Sequence, residues 1–387
     1  MIQEQNRVRP VVYGICLYFL IAAADSFRIG TLGSILKIVA LVPVALLLLE
    51  LKQLHLRISR VLIVQLLFWL LGVVSLFYSV NTQKTMYSVL TLTLNLALVF
   101  SLGTFKVYTK KELDLMQRAM LLGGWITIGM MLLLSDVSAG GRLTLRLGSN
   151  TSDQNYVNGF FLYTFSYHVQ RLLEKSEKKQ LFPVFLILTI VLMTGSRGAL
   201  LAFSLTAFVQ ICVMISKSRN RVRNILFTLI VLMMASVVFN VILSFMPESV
   251  AVRFSWDYIA EKGTTGRTRV WGALLEHFSY DSIGRMIFGH GYGTSQYINM
   301  VNGNVAHNLY IDNLITLGLA GLLLQLITQG MILYILFKRK NFTLLAAYAG
   351  MIGMCLSLSL VAYKPIWNIM LLTLAIETHH NTQEEHP

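Results

Sequence analysis

Apolar runs of about 20 residues alternate with short polar segments along almost the whole chain. A run of that length is what an α-helix needs to cross a bilayer, where every backbone amide must find its partner within the segment. The pattern predicts about twelve spans, near 10–25, 32–50, 60–79, 86–104, 117–135, 156–173, 182–196, 198–216, 224–246, 310–337, 342–362 and 364–377. The polar segments between them sort into two sets. One set holds Arg7 and Arg9; Lys52, Arg57 and Arg60; Lys106, Lys110, Lys111 and Arg118; Arg171, Lys175, Lys178 and Lys179; Lys217, Arg219, Arg221 and Arg223; and Lys338, Arg339 and Lys340. These basic segments alternate strictly with the others, and cytoplasmic loops collect Lys and Arg. The expected fold is therefore all-α, a polytopic membrane protein with both termini cytoplasmic. It divides into nine helices over 1–246, one large extracytoplasmic loop over 247–308, three helices over 309–377, and a polar, disordered tail over 378–387.

Composition agrees with a membrane protein. Of 387 residues, 55% are hydrophobic and only 13% charged, whereas soluble domains carry about a quarter charged residues. The net charge of +14 would suggest nucleic acid in a soluble protein. Here most of it sits in the short basic loops. Cys16, Cys212 and Cys355 each lie inside an apolar run without metal-ligand spacing and read as small apolar residues. Arg7 and Arg9 before an apolar run, with Ala22-Ala23-Ala24 at its end, have the outline of a signal peptide. More spans follow, so a first helix is the preferred reading.

Candidate chemistry gathers in the expected outer segments. The hairpin Thr194-Gly195-Ser196-Arg197-Gly198 strands an arginine on the side where positive charge is otherwise avoided. Arg197 is either a snorkelling helix end or an anion ligand, since a guanidinium fork matches phosphate oxygens and a helix N-terminus favours negative charge. Arg267 and Arg269 lie i, i+2. On a helix they splay by about 200°, so they share a ligand only from a non-helical start; the alternative is a solvated basic loop near headgroups. Arg142 and Arg146 are spaced i, i+4 and would share a face if helical, but their segment is rich in turn formers. His307 stands at the border between the long loop and an apolar helix, where it would be partly desolvated and neutral, as a general base should be. His277 and His290 are histidines of the same loop without that position. The acidic residues of these segments are scattered, with no HExxH motif or paired carboxylates, so neither a metal nor another cofactor is expected.

The order of these elements resembles the O-antigen ligase and O-antigen polymerase family. The matching residues are Thr194-Gly195-Ser196-Arg197-Gly198-Ala199; Gly266-Arg267 followed by Trp271; Gly289-His290-Gly291-Tyr292-Gly293; Ala306-His307-Asn308-Leu309-Tyr310; Leu317-Gly318; and Ser152-Asp153-Gln154-Asn155, with Gln154 where the family usually has Pro. The likeness covers roughly 140–365. Thr316 stands where the family often has an acid, and Asp312 is the nearby substitute. The resemblance implies a metal-independent, inverting glycosyltransferase of the bacterial cytoplasmic (inner) membrane, its site facing outward. Such enzymes move a glycan from undecaprenyl pyrophosphate to a sugar hydroxyl. The product would be a capsule, exopolysaccharide or O-antigen, and a chain-length regulator would be the protein partner. In that reading Arg142, Arg146, Arg197, Arg267 and Arg269 bind pyrophosphate and glycan, and His307 is the base. Polymerase is preferred over ligase. A transporter of lipid-linked oligosaccharide would instead place charges inside the spans along a path.

Overall fold

The computed structural model describes all residues except 1–7, 27, 30–32, 51–55, 139, 148–149, 176, 219–221, 223–224, 227–232, 234–238, 259–265, 299–302 and 386–387. Helices dominate: α1 (Pro10–Leu20), α2 (Ile35–Val39), α3 (Leu41–Leu48), α4 (Arg60–Val74), α5 (Thr82–Thr104), α6 (Lys110–Leu133), α7 (Leu162–Lys175), α8 (Leu181–Met193), α9 (Arg197–Lys217), α10 (Glu248–Ala251), α11 (Arg267–Ser279), α12 (Ile283–Phe288), α13 (Leu309–Lys338), α14 (Phe342–Cys355) and α15 (Lys364–Glu385). Two small antiparallel sheets accompany them. β1 (Arg28–Ile29) pairs with β2 (Gly33–Ser34), and β3 (Ser135–Val137), β4 (Leu143–Leu147) and β5 (Asn150–Thr151) form the second.

Among the described residues five helices are long and apolar enough to cross a membrane: α4 with its 3₁₀ extension to Phe77, α5, α6, α9 and α13. Only 33% to 44% of each apolar window is buried within the protein. Outward faces carrying Leu67, Leu70, Leu90, Phe208 and Leu323 would be untenable in water and suit lipid. Three shorter apolar helical stretches, Pro10–Leu20, Ile35–Leu48 and Phe342–Cys355, stand where further spans are expected. Most of the span expected over 224–246 falls outside the described residues.

With little hydrophobic drive between helices in lipid, small residues let backbones approach. Gly350 and Gly353 of α14 lie against Ala202 of α9, and a Cβ at Gly350 would collide with Thr206 Oγ1. Gly123 of α6 similarly faces the backbone of Phe19 on α1. At the basic end, Glu112 accepts from Arg9 and closes the capping box with Thr109. Buried Lys106 pairs there with Glu50. The tail expected to be disordered instead continues α15 to Glu385. Thr378 is buried, His379 Nδ1 lies 2.8 Å from the Tyr108 carbonyl, and Arg339 holds Asn381, so its first turns are packed.

The described residues of the 247–308 segment form short helices, as expected of a folded segment. Its fold depends on a break in α13, where Gly318 takes φ 66° and ψ −166°. The interruption frees two carbonyls, and the glycine-rich turn supplies their donors: His290 N to Ile315 O at 3.1 Å, and Gly291 N to Thr316 O at 2.9 Å. Gly289 lies against the Thr316–Leu317 backbone, and Gly318 against Ile287 and Phe288. A side chain at either glycine would part the two segments.

Candidate functional site

The site assembles where five segments meet. β4 is preceded by Arg142, whose Nε donates to the Thr194 carbonyl at 2.7 Å and whose Nη2 reaches Asn155 Oδ1 at 3.1 Å. Arg253 Nε donates to the next carbonyl, Gly195, at 3.0 Å. Gly195 has φ +61°, and a Cβ there would lie 3.2–3.3 Å from Arg142 and Arg253. Two guanidinium groups thus pin the α8–α9 turn. Ser196 caps α9 by accepting from Ala199 N at 3.3 Å. Arg197, the first residue of α9, turns its guanidinium over Tyr258 at 5.8 Å.

Arg267 opens α11 after Gly266, which is left-handed at φ 80°. It is half-buried, and its pKa is pushed below the ordinary arginine range by desolvation, with Arg197 and Arg253 adding repulsion and Asp153 opposing. Arg142 is pushed down to about 10, first by burial and then by Arg253; it remains charged at neutral pH. Like charges gathered this closely repel one another, and an anion would relieve that repulsion.

His307 is placed by its neighbours. Trp271 Nε1 on α11 donates to the Ala306 carbonyl at 2.6 Å, and Asn308 caps α13 by accepting from Tyr310 and Ile311. Between these anchors His307 adopts φ +47°. Its Nδ1 is buried without a hydrogen-bond partner. Burial holds the imidazole below the ordinary histidine range; Arg267 pushes the same way, and Asp153 pushes back. Neutral imidazole with a free nitrogen is the state a proton acceptor needs.

Arg142, Arg197, Arg267 and His307 are therefore brought into one electrostatic neighbourhood. Arg146 and Arg269 are not. Arg146 pairs with exposed Asp136 at 2.6 Å. The segment is strand rather than helix, and at about 3.3 Å per residue four positions separate the two arginines by ~13 Å. Arg269 is exposed on α11, and because the helix already begins at Arg267 the i, i+2 pair splays. The carboxylate acting on His307 is Asp153; Asp312 instead accepts from the Ser295 hydroxyl. Arg253 is the member that sequence reasoning left unassigned. Its only signal was one more arginine in a segment that also carries Arg267, Arg269 and Arg285.

Beside the cluster lies a cavity of about 340 Å³ lined by Lys84, Tyr87, Tyr156, Tyr292, Val305 and Asp312. Tyr156 also interacts electrostatically with Arg267, which links the two. A larger cavity, about 590 Å³, lies at the opposite end of α4 and α13 among Arg57, Arg60, Lys338 and Arg339, away from His307.

Residues 182–326 match the O-antigen ligase family. This segment runs from α8 through the Arg197 turn, α11, the glycine-rich turn and His307 to the break in α13. The O-antigen ligase match supports assignment to the ligase and polymerase family, an enzyme role in polysaccharide biosynthesis, and lipid-linked glycan substrates at a membrane. No curated protein matches the chain.

Proposed function

We propose that this protein transfers a glycan from undecaprenyl pyrophosphate to a sugar hydroxyl on the outer face of the bacterial inner membrane, polymerising repeat units of a surface polysaccharide. The observation that carries the reading is the unpartnered Nδ1 of His307 beside Arg267, within a cluster that includes Arg142, Arg197 and Arg253. Transfer from a lipid pyrophosphate needs two things at the membrane edge: a base for the acceptor hydroxyl and cations for the departing phosphates. His307 takes the hydroxyl proton while the oxygen attacks the anomeric carbon. The bond from that carbon to the pyrophosphate oxygen breaks, and the leaving group carries its negative charge onto the arginines. Direct displacement inverts the anomeric centre. The tyrosine-lined cavity supplies faces for the sugar rings. The residues named need no metal for this chemistry.

The matched description, O-antigen ligase, favours a second reading with the same chemistry, in which the acceptor is a lipid or cell-wall group. Purified protein given only lipid-linked repeat units separates the two: a polymerase builds chains, a ligase does not. In that assay Arg197→Ala and Arg267→Ala are expected to abolish transfer. Lysine at either site should rescue poorly, lacking the bidentate fork. His307→Ala should lose about 10²–10⁴-fold in turnover while still binding donor. Full activity of the lysine variants would reduce the phosphate clamp to a general basic field, and near-normal turnover by His307→Ala would remove its role as base.

A further inference from the structure

His277 and His290 stand apart from the transfer chemistry, yet they converge. His277 lies near the end of α11, Asp281 one turn later, and His290 in the glycine-rich turn. His290 Nε2 is 2.8 Å from Asp281 Oδ2, and His277 Nε2 is 3.8 Å from Asp281 Oδ1. The two imidazole rings are 5.0 Å apart between centroids. One ligand atom from each residue lies within 4.8 Å of the other two. A hydrogen-bonded His–Asp pair accounts for His290 alone. It leaves His277 Nε2 buried with no partner, and 3.8 Å is too long for a hydrogen bond.

We propose that His277, Asp281 and His290 bind a divalent transition metal of the zinc class, which ties the end of α11 to the glycine-rich turn. Zinc takes nitrogen and carboxylate ligands at about 2.0–2.2 Å, which in a tetrahedron sets ligand atoms about 3.3–3.5 Å apart. The two observed separations, 2.8 and 3.8 Å, bracket that spacing. Binding replaces the proton shared by His290 and Asp281 and gives His277 Nε2 its missing partner. Water completes the fourth position through the opening beside His277, whose side chain is 30% exposed. Two imidazoles in a set of three select against calcium and magnesium, which take oxygen ligands. The neighbouring cation Arg285 is held off, bonded to the carbonyls of Tyr78 and Gly289 and stacked over the Tyr78 ring. The ion would be structural. Arg267 begins the same helix ten residues earlier, about 15 Å along its axis from His277.

The test uses the full chain in detergent, stripped with chelator and titrated with Zn²⁺ and with Co²⁺. Expected are one zinc per chain, a cobalt d–d absorption band, and a rise in melting temperature with metal. His277→Ala and Asp281→Asn should each weaken binding about tenfold or more, the smallest loss seen when even an outer-shell partner is removed. His277 is partly exposed, so its removal leaves folding intact. His379→Ala controls for binding at the adjacent His379–His380 pair and should leave the zinc in place. Failure of the unaltered protein to take up zinc overturns the site, as does undiminished binding by both ligand variants.

Discussion

At the level of single residues, the proposed base makes a pH prediction that turns on His307 and Asp153. The imidazole lies below the ordinary histidine range because of burial and Arg267, while Asp153 holds it up. A base at His307 works when neutral, so activity is expected to fall as pH drops through its lowered pKa and to be insensitive above it, within the range where the arginines stay charged. Asp153→Asn removes the one opposing charge. The acidic limb of the pH–rate profile should therefore move to still lower pH. An unmoved limb would mean that Asp153 does not act on the imidazole. Arg142 and Arg253 have a different part: they hold the carbonyls of Thr194 and Gly195 and thereby aim Arg197.

Individual elements matter through the places where they are interrupted. Leu317-Gly318 and the glycine-rich turn are far apart as motifs but form one joint, because the break in α13 exposes carbonyls that the turn's amides satisfy. Gly318→Ala puts a Cβ against the Ile287 backbone in a conformation with positive φ. Backbone strain of that kind costs about 1–3 kcal/mol before any clash. The expected result is a melting temperature lowered by several degrees in detergent. Gly330→Ala, in the same helix with open space around it, should leave the value unchanged or slightly raised.

For the whole molecule, apolar runs located the long helices, because length and apolar run are local properties, but not the short helices α10, α11 and α12. The predicted 60–79, 86–104 and 198–216 correspond to α4, α5 and α9. The candidate site was legible where residues break the rules of placement: Arg197 against the charge pattern, His307 at a helix mouth. It was not legible where it depends on pairing between distant segments. Nothing in the spacing of Arg142 and Arg146 told strand from helix, and nothing local tied Arg253 to Gly195. The alternation of basic loops predicts sidedness, and cysteine labelling in intact cells tests it. With Cys212 replaced by Ser, Tyr280→Cys should react with an impermeant reagent and Lys178→Cys should not. Labelling at 178 would reverse the orientation.

The left-handed backbone at His307 has a consequence for how this site could have arisen. A residue with a Cβ at φ +47° sits in a sparsely populated region that glycine enters freely. If His307 is the base, the chain keeps an unfavourable backbone conformation at the position doing the chemistry. Stability and turnover should then pull in opposite directions: His307→Gly should unfold at a higher temperature than His307→Ala, by about 1 kcal/mol in stability, with both equally inactive. Selection for robustness alone would drift this position toward glycine, and only a continuing demand for transfer would hold the imidazole there.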